Sequence, residues 1–86
     1  MSTHYLVTDA MTHRGAPFRK VMAFKARRDG RVTVTSMDQS LAAEVRGAQG
    51  RLHGGESQTM SAVKARKVWR TYLGFGFRRV ESIALG

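Results

Sequence analysis

The side chains of this chain with chemistry to offer are its cations. Fifteen Lys and Arg stand against six Asp and Glu, a formal net charge of +9 over 86 residues. A surplus of that size repels itself unless a polyanion meets it, which points to nucleic acid, an anionic surface or an acidic protein partner. The distribution sharpens the point. Between Asp9 and Asp29 lie Arg14, Arg19, Lys20, Lys25, Arg27 and Arg28 with no acid among them, and between Glu56 and Glu81 lie Lys64, Arg66, Lys67, Arg70, Arg78 and Arg79, again with none. Charge on a merely solvated face usually mixes in sign.

The other reactive side chains are few. There is no cysteine, so no disulfide, zinc-thiolate site or thiol nucleophile can form, which fits a reducing compartment. His4, His13 and His53 share no ligand spacing and no paired carboxylate stands beside them, so neither a metal nor another cofactor is expected. His53-Gly54-Gly55-Glu56 offers an acid and a base, yet in a glycine-rich setting it reads as a polar loop. No enzyme is expected. The longest uncharged apolar run, Tyr72 to Phe77, is far short of a membrane span, and MSTHYLV lacks the basic start and apolar stretch of a signal peptide. The expectation is a cytoplasmic protein with no membrane partner.

One short stretch, Leu73-Gly74-Phe75-Gly76-Phe77-Arg78-Arg79-Val80, has the GFGF spacing with which RNA-recognition modules stack bases on exposed rings. Its flanks depart from that pattern. Leu73 and Val80 stand where a basic and an aromatic residue belong, and Arg78 replaces an aliphatic. The motif also falls too late in the chain for that topology. Gly74 is instead expected to end a helix in the left-handed conformation, with Phe75 folding back on it and Phe77 entering the core.

The elements that must position the cations follow from periodicity. A chain of this length makes one domain and buries only about 60 to 65% of its unfolded surface. Residues 4 to 12 alternate as a strand, with Tyr5, Val7 and Met11 on one side, and His13 to Pro17 supply a turn. From Phe18 the alternation sets Phe18, Met22, Phe24 and Ala26 against Arg19, Lys25 and Arg27. Asp29-Gly30 predicts a type I′ hairpin. The returning strand points Val32 and Val34 inward and Arg31, Thr33 and Thr35 outward. Asp38 is placed as the N-cap of a short helix over about Gln39 to Gly47, with Leu41, Ala42, Val45 and Ala48 at helical spacing. The glycines at 47, 50, 54 and 55 predict a flexible loop over about 47 to 57. A second helix starts between Ser57 and Ser61 and buries Ala62, Ala65, Val68, Trp69, Tyr72 and Leu73. A strand from Phe75 or Phe77 to Ala84 closes the domain. The expected fold is α+β: a three-stranded antiparallel meander, two helices packed on one face of the sheet, and a short closing strand.

On that fold the free sheet face presents Arg19, Lys25, Arg27 and Arg31 with Thr33 and Thr35. An antiparallel ribbon of this kind fits the DNA major groove. Arg28 in the turn, Lys64, Arg66, Lys67 and Arg70 on the second helix, and Arg78 and Arg79 after it, complete the expected nucleic-acid-binding set, acting mainly on phosphates. The competing expectation is a protein inhibitor or adaptor that occupies an acidic or nucleoprotein partner. Phages and mobile elements make small basic proteins of that kind, anti-CRISPR proteins among them, an analogy of size and charge. Edge strands of so small a sheet can also pair across a two-fold axis, giving a homodimer.

Overall fold

Alternating side chains turn most of this chain into strands, and cross-strand pairing sets where the strands stop. The computed structural model describes residues 3–41, 52–81 and 83. Its elements are β1 (Thr3–Val7), β2 (Met11–His13), β3 (Ala16–Ala26), β4 (Arg31–Ser40), β5 (Leu52–Ser61), α1 (Ala62–Gly74) and β6 (Arg78–Val80). The strands form one sheet in the order β5-β4-β3-β1-β6, with β2 also beside β3, and every paired neighbour is antiparallel. That order makes β5 and β6 run the same way at opposite edges. The segment joining them must therefore cross the sheet, and α1 is that crossing.

The core lies between α1 and one sheet face. Leu6, Met22, Phe24, Val34 and Met60 project from β1, β3, β4 and β5 against Ala65 of the helix, with Val32, Val68, Trp69, Tyr72 and Phe77 packed around them. The inward sets expected on β3, β4 and the Trp69 helix largely occupy these positions. The exceptions are Leu73, 41% exposed, Ala26, also exposed, and Phe18 and Ala62, which lie outside this cluster. Trp69 meets Phe24 edge to face at a centroid distance of 5.0 Å. Val7 and Val21 face the other way, opposite each other in register, and are also fully buried. The centre of the sheet is thus covered on both sides.

The ends of α1 follow local rules. The Ser61 hydroxyl accepts the Lys64 N–H at 3.2 Å and caps the start. At the end, the left-handed residue is Gly76 (φ 99°), not Gly74, which is the last helical residue. Phe77 N–H donates to Tyr72 C=O and Gly76 N–H to Leu73 C=O, both at 3.1 Å. That pair of bonds is the Schellman arrangement, and its accompanying apolar contact is Phe77 on Tyr72, ring centroids 5.1 Å apart. Phe77 packs against the core as expected. Phe75 does not: it is 72% exposed and touches Tyr72 by one edge.

The expected pair of helices is overturned. Among the described residues α1 is the single helix, and Gln39 and Ser40, where the first helix was placed, belong to β4. Residues 42–47 of that expected helix lie outside the described residues. β3 is long enough to keep pairing as far as Phe18↔Ser40, and Asp38 gives its carboxylate to Lys20 at 3.4 Å instead of capping a helix. Long-range ladder bonds outweigh the weak local preference. The expected loop is corrected in the same way over its described part, since Leu52–Ser61 is β5. Its Gly54 (φ 71°) and Gly55 (φ 137°) stand together opposite Met37, between the pairs Ser36↔Glu56 and Asp38↔His53. They make a β-bulge, which needs glycine for a reason unrelated to flexibility.

Three smaller corrections concern turns and ends. The first expected strand is two, broken where Thr8 hydrogen-bonds Lys20 through both its N–H and its Oγ1 at 3.0 Å. The β3–β4 turn has positive φ at Gly30 alone, with Gly30 N–H on Arg27 C=O at 3.2 Å, so it is a type I turn closed by a glycine bulge. The two positive φ values of a type I′ turn occur instead at Arg14 (51°) and Gly15 (79°) between β2 and β3. Among the described residues the closing strand is Arg78–Val80, and residues 82 and 84 of the expected strand lie outside the described residues.

Candidate functional site

Strand register assigns each expected cation to a side of the sheet. Partners aligned with Met22 and Phe24 face α1, and partners aligned with Val21 and Lys25 face away. Arg19, Lys25 and Arg31 therefore lie on the face opposite α1, as does Arg78, which pairs with Val7. Arg79, one residue on, faces the helix side. Arg27 and Arg28 occupy the β3–β4 turn. Lys64, Arg66, Lys67 and Arg70 are exposed on α1. The basic sheet set and the basic helix set are on opposite sides of the sheet.

The face away from α1 has a closed end and an open end. At the closed end Arg19 Nε donates to Gln39 Oε1 at 2.6 Å, and Gln39 Nε2 donates to Ile83 C=O. Gln39 is 1% exposed. Burial, and secondly the charge of Arg78, lower the pKa of the Arg19 guanidinium. Arg78 itself pairs with Asp9 at 3.2 Å. Arg19 is thus held by a part-buried contact within the protein, while the Arg78–Asp9 pair is exposed.

At the open end Lys25, Arg28 and Arg31 are exposed beside the β3–β4 turn. Lys25, Arg27, Arg28 and Thr33 share a shallow depression with Ala26 and Asp29. Asp29 holds this turn together: it accepts the Arg31 N–H at 3.0 Å and pairs with Arg27 at 3.5 Å. Its carboxyl sits below the usual range, first because of the Arg31 backbone bond; desolvation opposes this, and the smaller effects of the Arg27 and Arg31 charges add to the lowering. From this end a ladder of hydroxyls runs along β4 and β5, Thr33 with Thr59 at 3.2 Å and Thr35 with Ser57 at 2.9 Å. Thr3, Tyr5 and Ser61 occupy the same face in register. The two strand acids among the described residues, Asp38 and Glu56, are on the α1 side instead, in register with Lys20 and Ser36.

Ser57, Thr59 and Ser61 are absent from the expected sheet face because the sequence places the end of a loop at about 57 and the start of the second helix between Ser57 and Ser61, where β5 lies instead. The signal was present in Ser57-Gln58-Thr59-Met60-Ser61, where hydroxyls alternate with Gln58 and the buried Met60. On the other side of the sheet, a groove of about 410 Å³ opens between α1 and β1, β3, β4 and β6, lined by His4, Phe24, Ala26, Val32, Ala62, Ala65, Arg66, Trp69 and Arg79.

Among the described residues no group of His, Asp and Glu could hold a metal ion, and no helix is long and apolar enough to cross a membrane. Comparison with protein-family models, with curated proteins and with solved structures found no match.

Proposed function

We propose that this chain binds nucleic acid on the sheet face opposite α1, with affinity supplied mainly by phosphate contacts and counterion release. One observation carries the reading: the strand carboxylates among the described residues are confined to the helix side of the sheet. Asp38 and Glu56 lie on the helix side, while the opposite face sets Lys25 and Arg31 among hydroxyls with no strand carboxylate among the described residues. Lys25, Arg28 and Arg31 neutralise phosphates at the open end. Thr33, Thr59, Thr35 and Ser57 supply hydroxyls that both donate and accept, suited to sugar, phosphate or base edges. Arg19 and Arg78 border the site, positioned by Gln39 and Asp9. Lys64, Lys67 and Arg70 add to the positive field that draws a polyanion in but stand on the far side of the sheet. The cytoplasm, where a protein without cysteine loses nothing, is part of the same proposal.

Anisotropy titration of a short labelled duplex across a salt series tests this. Binding is expected to weaken steeply between about 50 and 200 mM salt. The double variant Lys25→Gln, Arg31→Gln should flatten the log–log salt slope by about two. Absence of binding at about 50 mM salt, or an unchanged slope in the double variant, rejects the assignment. A partner that survives nuclease treatment of a pull-down supports the inhibitor or adaptor reading instead.

A further inference from the structure

The groove on the helix side has a chemistry of its own. Its floor is apolar, with Phe24 and Ala65 belonging to the core, while Arg66 from α1 and Arg79 from β6 line it and no carboxylate does. Its volume, about 410 Å³, falls within the range of small-ligand sites. His4 and Trp69 stand at 84° to each other with centroids 6.3 Å apart, so a planar ring entering beside them meets one by its face and the other by its edge, both favourable aromatic geometries.

We infer that this groove takes one unpaired nucleotide, the base on the apolar floor beside Trp69 and the phosphate against Arg66 and Arg79. The apolar floor selects a ring over a bare ion. The two guanidinium groups, whose forked donors match phosphate oxygens, select an anion over a neutral ring. A nucleoside monophosphate unit has both parts joined at short range. It can arrive free or within a single strand. The choice of a nucleotide rests on the reading that the partner is nucleic acid, although the groove is a separate site on the other side of the sheet. β6 is an edge strand with Arg78 on one face and Arg79 on the other, so a single strand can pass round that edge.

Trp69 is the sole tryptophan in the sequence, and its indole N–H resonance in the full chain reports on the groove directly. Titration with deoxyadenosine monophosphate should shift it saturably. Deoxyadenosine and inorganic phosphate should each bind at least about tenfold more weakly, because each lacks one half of the recognition. Arg66→Gln and Arg79→Gln should each weaken the nucleotide about tenfold, while Arg14→Asn, which removes an exposed turn cation outside both sites, leaves it unchanged. Both arginines are exposed, so the variants are expected to fold, which their amide spectra verify. A short single-stranded oligonucleotide that shifts the same resonance at a concentration about tenfold lower identifies the strand as the natural source, and equal potency identifies the free nucleotide. The inference is overturned if neither probe shifts Trp69 saturably, if both arginine variants bind as the parent does, or if octanoate displaces the nucleotide at equal concentration. Loss of the groove response with duplex binding intact rejects the groove alone. The reverse result rejects the sheet site alone.

Discussion

Arg19 and Gln39 face each other across β3 and β4, the guanidinium Nε donating to the amide Oε1 at 2.6 Å, while the other end of the same amide donates to Ile83 C=O. A buried side chain thus ties a partly buried cation to the segment that follows β6. Removing the amide leaves a donor and an acceptor without these bonds. Gln39→Ala is expected to lower the unfolding free energy by about 1 to 3 kcal/mol in urea titration. Lys25→Ala, at an exposed position of the same face, should change it by less than about 0.5 kcal/mol. Equal effects of the two would contradict the tie.

The end of α1 separates two phenylalanines that look alike in sequence. Phe77 packs on Tyr72 and the core while Phe75 is 72% exposed. Phe77→Ala should cost about 2 to 3 kcal/mol, below the range for a fully buried ring, and Phe75→Ser should cost less than about 0.5 kcal/mol. Gly76→Ala meets no neighbouring atom within 4 Å, so its expected cost of about 1 kcal/mol is conformational alone. Thermal melts of the three variants check the order.

Arg14 holds φ at 51° in the β2–β3 turn, a conformation that costs an ordinary side chain about 1 to 2 kcal/mol. Asn tolerates it better. Arg14→Asn should therefore raise stability, by about 0.5 to 1 kcal/mol in the same urea titration, and a decrease would show that the arginine side chain has a role of its own.

Asp29 contributes to the acid limb of stability. Its folded pKa lies below the ordinary 3.8, so its contribution is fully present above that value and disappears as pH falls through the lower folded value. Asp29→Asn should flatten the decline in melting temperature below about pH 4 and leave its shape near neutrality unaltered. A variant curve parallel to the parent's down to about pH 2 would contradict this assignment.

Much of the fold can be read locally. The apolar alternation of Met22, Phe24, Val32 and Val34 and the helical stripe of Ala65, Val68, Trp69 and Tyr72 each report which side of an element meets the core, and those sides do meet. Two glycine readings failed for one reason. Gly54 and Gly55 serve a bulge and Gly76, rather than Gly74, serves the helix end, and composition shows that glycine is present without showing which φ it must adopt. Asp38-Gln39-Ser40 could begin a helix or extend a strand. β3, some twenty residues earlier in the chain, decides it by offering ladder bonds out to Ser40.

The candidate site divides along the same line. Which residues are cationic, that they fall in two acid-free runs, and that a basic strand face opposes an oily one are properties of the chain itself. Which cations share a surface is not. Arg78 and Arg79 are neighbours in sequence and lie on opposite faces of β6, while Arg66 and Arg79 are distant in sequence and line one groove. Sequence alternation assigns a side to each residue within its own strand. Only the pairing of strands and the crossing of α1 over one face decide which sides become a common surface, because register and packing depend on partners far away along the chain.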